Sequence, residues 1–161
     1  MNENKLKQCT RCKQNLTLDN YTIAKRSGWQ GPRARCRNCC NLEMKENYFK
    51  NPFPQFLSNS KIRSKNKNIP FSINVEYLKS IFPKDNMCPV LKVPFQFGYK
   101  HEKNKDYAPS LDRIIPEKGY VEGNLIFVCD IVNRVKSNAS TEILEKVSNF
   151  YKKFELTKEK K

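Results

Sequence analysis

Ser110-Leu-Asp-Arg-Ile-Ile-Pro-Glu-Lys-Gly-Tyr-Val-Glu-Gly-Asn-Leu-Ile-Phe-Val-Cys-Asp-Ile-Val-Asn-Arg-Val-Lys-Ser-Asn138 is the stretch that decides the fold. Leu111, Ile114 and Ile115 make a short apolar segment interrupted by Asp112 and Arg113, and Pro116 to Gly123 is rich in turn formers, which reads as strand then loop. Leu125 to Val128 is an unbroken apolar run of strand length, after which Ile131, Val132 and Val135 recur at helical spacing. The expected unit is strand, loop, strand, helix, with Asp112, Asn124 and Asn133 able to converge.

In these residues the chain resembles the HNH or His-Me finger nucleases, whose core is a hairpin plus a helix around one divalent metal. The match is to phage-type members with Ser-Leu-Asp-Arg-Ile, Gly-Tyr-Val, Gly-Asn and Asn-Arg-x-Lys-Ser in this order, and it is specific over about residues 87 to 150. The resemblance implies that Asp112 and Asn133 ligate a catalytic Mg2+ or Mn2+ and that Asn124 positions the end of the catalytic strand. Most of the family has a His directly after the Asp as general base; this chain has Arg113, which keeps its proton at working pH. Its only histidine, His101, sits in a polar loop from Tyr99 to Pro109 and is one candidate base, the alternatives being Tyr107, no side-chain base at all, or a plain solvated histidine. Arg113 itself could stabilise charge on the scissile phosphate through its fork of donors.

Charge points the same way. The net charge of the 161 residues is +15, with 15 Lys+Arg against 4 Asp+Glu in residues 1–70 and 16 against 12 in residues 71–161. A basic half joined to a nearly balanced half suggests a polyanion-binding part, and nucleic acid, here DNA, is the expected partner. No stretch reaches the apolar length of a membrane span, and Met1 to Gln8 lacks the apolar core of a signal peptide. An intracellular protein is therefore expected, cytoplasmic or nucleoid-associated and not secreted. In that reducing setting the seven cysteines argue for metal ligation or buried thiols, not disulfides.

Cys9-x2-Cys12 and Cys36-x2-Cys39 are two knuckles of the kind that close a structural Zn2+ site, each turning two thiolates toward one ion. Cys40 could substitute as a ligand, but the two-residue spacing favours Cys39. Leu16 to Ile23 and then Ser27-Gly28-Trp29 read as a hairpin or loop, and a helix from Arg35 to before Asn51-Pro52 carries the second pair in its first turn. Arg33, Arg35 and Arg37 could grip phosphates beside Trp29, whose indole either stacks on a base or packs over the hairpin. Lys61, Arg63, Lys65 and Lys67 form a basic stripe on the end of a short helix and the loop after it, and Arg134 and Lys136 add cations beside Asn133. Val75, Leu78, Ile81 and Phe82 suit a core helix closed by Pro83, Cys88 to Phe97 reads as a turn with two short strands, and Cys88 and Cys129 read as small buried neighbours.

The sequence thus predicts an α+β chain. Residues 1–50 form a four-cysteine zinc module of the zinc-ribbon or treble-clef kind, 51–70 a basic helical connector, and 71–161 a ββα-metal, HNH-like nuclease domain whose C-terminal helix, with an apolar face from Ile143 to Phe154, covers the finger. The expected activity is metal-dependent hydrolysis of DNA phosphodiesters, by nicking or, with two copies acting together as a homodimer, by double-strand cutting. Two rivals are a catalytically inactive nucleic-acid-binding protein that keeps the finger as a scaffold, and an RNA-directed factor using the zinc module.

Overall fold

The computed structural model describes the backbone of residues 5–98 and 105–158, with side chains as far as residue 154. The chain divides into two units, Met1–Pro52 and Phe53–Lys161. Among the described residues no helix is long and apolar enough to cross a membrane.

In the first unit β1 (Leu6–Gln8) pairs antiparallel with β2 (Asn15–Thr17), which closes the turn holding Cys9 and Cys12. Lys13, at φ 62, supplies the left-handed step that so tight a turn needs. A second hairpin, β3 (Ile23–Arg26) with β4 (Trp29–Pro32), turns at Ser27-Gly28, and α1 (Arg37–Lys50) follows. Cys36 caps α1, its sulfur accepting from the Cys39 N–H, so both cysteines of the second knuckle belong to the helix start. Knuckle, hairpin and helix make a treble-clef arrangement. Its buried apolar residues are Cys9, Tyr21, Cys36 and Cys39, with Leu16 packed against them. So small a core cannot hold a domain of this length without a staple.

In the second unit α2 (Phe53–Lys67) begins after Asn51-Pro52, with Pro54 in its first turn, where a missing N–H costs little. All four basic residues from Lys61 to Lys67 are helical, so the stripe does not run on into a loop. Phe53, Phe56 and Leu57 pack on the core, Phe56 meeting Phe127 edge-on at 5.2 Å, and Ser60 and Ser64 are buried. The residues read from sequence as a connector therefore contribute a packed helix to this unit. Next, α3 (Val75–Ile81) is capped by Asn74, whose side chain accepts from the Tyr77 N–H at 2.8 Å, and it stops before Pro83. Residues 88–97 form a turn but not the two expected strands; only an isolated bridge, Met87 to Pro94, is made. Pro89 and Pro94 lack the N–H groups that a ladder needs.

The decisive stretch folds as its pattern dictates. β5 (Pro109–Arg113) runs antiparallel to β6 (Leu125–Cys129), in register from Pro109↔Cys129 to Arg113↔Leu125, and α4 (Asp130–Lys136) follows at once. Leu111, Leu125, Phe127 and Val128 join Leu78, Phe95 and Tyr120 in the core. The last helix, α5 (Thr141–Lys158), departs from expectation: Ile143, Val147, Phe150, Tyr151 and Phe154 are each at least 50% exposed, so it does not cover the finger. The hairpin's core is closed instead by α2, whose phenylalanines pack onto Phe127.

Candidate functional site

Four sulfurs come together in the first unit. The ligand atoms of Cys9, Cys12, Cys36 and Cys39 all lie within 4.8 Å of one another. A tetrahedral zinc with thiolates at about 2.3 Å spaces its sulfurs by roughly 3.8 Å, so the set fits that ion. Backbone N–H groups already point at the sulfurs, Cys36 N–H donating to Cys9 Sγ at 3.3 Å. That donor, with those of Cys12 and Arg11, holds the Cys9 thiol down at about 5 against its burial, whereas burial and its neighbours push Cys39 up to about 12. A cation is what would let all four be thiolates at once. Cys40 stays out of the cluster, its sulfur set on the Arg35 carbonyl at 3.8 Å.

The second unit repeats this construction without the ligands. Cys9 N–H donates to the Gln14 carbonyl and Lys13 N–H to that of Cys9; Cys88 N–H donates to Val93 and Lys92 N–H to Cys88, with Lys92 at φ 56. As Cys36 does on Cys9, Cys129 at the start of α4 donates its N–H to Cys88 Sγ at 3.3 Å. The places of Cys12 and Cys39 are taken by Leu91 and Val132. Burial pushes the Cys88 thiol up, but the N–H groups of Leu91, Cys129 and Val90 outweigh it and leave it lowered, while burial raises Cys129 to about 11. Cys88 and Cys129 are both fully buried and adjacent, as the sequence reading expects. Val132 packs on the core and Leu91 is exposed, so neither place offers a metal ligand.

At the open end of the finger a cavity of about 230 Å³ is lined by Asp112 and Arg113 from β5, Asn133 from α4, and Arg63 and Lys67 from α2. Asp112 is 7% exposed, and its Oδ1 accepts from Lys136 Nζ at 3.1 Å; the same ammonium donates to the Arg113 carbonyl at 2.9 Å. A carboxylate so buried needs a cation, and Lys136, one turn beyond Asn133, supplies it. Asn133 donates its amide to Ser110 Oγ at 2.8 Å and to the Leu111 carbonyl at 3.4 Å, so Oδ1 is the atom with which it could hold a metal. One carboxylate and one amide oxygen are hard donors that fit a Mg2+ or Mn2+ ion keeping several waters, in competition with Lys136 for Asp112.

Asn124 lies behind the cavity at 4% exposure. Its Nδ2 donates to the Ile115 and Gly119 carbonyls and its Oδ1 accepts from Ile115 N–H, each at 2.9 Å, so it fastens both limbs of the loop to each other. Gly119, at φ 74, completes that loop, since a Cβ there would sit 2.3 Å from the Pro70 carbonyl oxygen. Arg113 is held by the Pro116 carbonyl at 2.8 Å and by the Tyr120 ring 5.4 Å below its guanidinium. Its remaining donors belong to the cavity wall.

The other expected phosphate contacts sort themselves. Arg35 pairs with Glu43, Arg37 donates to the Tyr21 carbonyl, and Arg134 pairs with Asp106 and Asp130. Arg33 remains, beside Trp29 on the second hairpin. Of the stripe on α2, Arg63 and Lys67 line the finger cavity, one turn apart, and Lys61 and Lys65 do not. His101 lies outside the described residues. Sequence reasoning missed that Lys136 is the counterion of Asp112; the signal was its place three residues after Asn133, on the same side of the helix.

No protein-family model matches the chain, and no curated protein matches it. Among solved structures it is similar to the rare-cutting HNH restriction endonuclease PacI, at 17% identity over 87% of this chain and 88% of that one, with a TM-score of 0.42. It is also similar to the ββα-Me type II restriction endonuclease Hpy99I, at 18% identity over 92% of this chain and 66% of that one, with a TM-score of 0.32. Likenesses this loose carry no weight for the function, which rests on the geometry above.

Proposed function

We propose that the second unit is a metal-dependent endonuclease that hydrolyses phosphodiester bonds in DNA, and that the first is held by a structural Zn2+ on Cys9, Cys12, Cys36 and Cys39. The observation that carries the proposal is the cavity in which Asp112 and Asn133 face Arg63, Lys67 and Arg113. A buried carboxylate in one cavity with three cations is the composition of a site for a metal and a phosphate together. The series of residues that resembles the His-Me finger nucleases supplies Asp112 and Asn133 among them.

Asp112 and Asn133 would hold the divalent ion, which when bound withdraws charge from the phosphate. Arg63 and Lys67 bind the flanking phosphates, and helix α2 keeps their spacing fixed. Arg113, anchored at one nitrogen, presents its other donors to the scissile phosphate, where a fork stabilises the charge that grows as the ester bond breaks. Asn124 positions rather than reacts. One copy carries one such site and so nicks; a double-strand cut takes two copies. Incubating the purified protein with supercoiled plasmid and Mg2+ or Mn2+ tests the activity: nicked or linear product that vanishes with chelator and in Asp112→Ala supports it, and intact plasmid under all conditions rejects it.

The Lys136–Asp112 ion pair favours one second reading, a DNA-binding protein in which the ammonium has permanently replaced the metal. That protein would bind plasmid as tightly in chelator as in Mn2+ and never cut it.

A further inference from the structure

The single tryptophan of the chain stands at the start of β4 and is 51% exposed. Its position is built. Trp29 lies opposite Arg26, and Gly31 opposite Ala24, so these four share one face of the hairpin. A Cβ at Gly31 would fall 2.7 Å from Trp29 Cζ2, which means that the indole lies against the bare backbone of Gly31. One side of the ring is bedded on the Gly31 backbone, and the ring still reaches solvent.

Around it the charge has one sign. Lys7, Lys25, Arg26 and Arg33 line the same groove as Trp29, and among the described residues no carboxylate does. The acids of α1 are engaged elsewhere, Glu46 with Arg11 and Glu43 with Arg35. Within one small unit, then, some arginines are neutralised in ion pairs while four cations are gathered about an exposed aromatic.

We infer that this hairpin face binds an unpaired nucleotide, its base stacked on the Trp29 indole and its flanking phosphates held by Arg26 and Arg33. Stacking needs a flat apolar surface open on one side, and phosphates need cations within a few ångströms of it; both are present. A base paired inside a duplex does not offer its face, so the ligand is single-stranded or locally opened nucleic acid. This inference does not rest on the nuclease reading, and the site is in the other unit.

Because Trp29 is the only tryptophan, its fluorescence reports this site alone. The full chain carrying Asp112→Ala, so that no strand is cut, is titrated with oligothymidylate, with oligouridylate of the same length, with a blunt duplex and with polyphosphate. Quenching that saturates with either single strand is expected, and the two arms tell deoxyribose from ribose. Trp29→Leu should weaken binding of a labelled single strand about tenfold or more, at unchanged zinc content and circular dichroism, with much less effect on the duplex. Arg26 and Arg33 changed together to Gln should weaken it further and flatten its salt dependence. Equal quenching by duplex or polyphosphate, or single strands that bind by anisotropy without quenching, would overturn the assignment.

Discussion

Replacing Lys136 by Met removes a charge while keeping the bulk of the side chain, and it tests how the finger holds Asp112. The ammonium is 3.1 Å from the Asp112 carboxylate, with side-chain exposures of 22% and 9%. A hydrogen bond to a charged group in such a place is worth about 1.5–3 kcal/mol. Any divalent ion that binds Asp112 must displace it, and that cost is part of the measured affinity. Water recovers some of the ammonium's hydration on release, so the lower end applies, about 1.5 kcal/mol or roughly tenfold in Kd. Lys136→Met should therefore bind Mn2+ about ten times more tightly than the unmodified chain, by calorimetry or by electron paramagnetic resonance of the free ion. Without metal it should be less stable, by about 2–3 kcal/mol, because a buried carboxylate has lost its cation. Saturating Mn2+ should restore most of that loss. Weaker or unchanged Mn2+ affinity in Lys136→Met would show that ammonium and metal do not compete, and would refute the reasoning.

Three further outcomes follow from the geometry. At neutral pH Cys39, raised to about 12, carries its proton in the metal-free unit and Cys9, lowered to about 5, does not, so binding zinc expels protons; competition against a chelator should show zinc affinity falling as pH falls, roughly tenfold per pH unit for each proton displaced, and Cys12→Ser should release the ion and unfold the first unit. Asn124→Ala orphans two carbonyls and one N–H behind the cavity, and chemical denaturation should show a loss of about 2–4 kcal/mol in the second unit with zinc content unchanged. Changing Arg63 and Lys67 to Gln should lower the slope of log affinity against log salt for duplex DNA by nearly two, and changing Lys61 and Lys65 should matter less, because only the first pair lines the cavity.

Much of this was legible because short-range patterns carried it. The apolar run Leu125–Val128 and the helical spacing after it could form only a hairpin strand and a helix, and β6 and α4 stand where those patterns place them. Two Cys-x-x-Cys pairs needed no context, since tight knuckles converge by their own geometry. What the sequence did not show depends on packing between distant residues. The split of the basic stripe required knowing that α2 is helical to Lys67 and lies on the finger, which turns Arg63 and Lys67 inward. Leu91 and Val132 look like ordinary aliphatics until the hydrogen bonds of residues 88–93 are laid beside those of residues 9–14. The apolar face of α5 was read as core because amphipathicity shows that a face wants burial, but not that this fold provides it; α2 had taken the place.

The central claim is that Asp112 serves chemistry and not affinity. Single-turnover cleavage and equilibrium binding of one labelled duplex, measured side by side in Mn2+ for the unmodified chain, Asp112→Ala and Asn133→Ala, test it most directly. Cleavage should fall by about three orders of magnitude or more in Asp112→Ala, the worth of the several kcal/mol that a metal supplies, while Kd for the duplex changes by less than about threefold, because the phosphate grip lies in Arg63, Lys67 and Arg113. Full cleavage in Asp112→Ala, or a loss of binding that matches the loss of cutting, would contradict it.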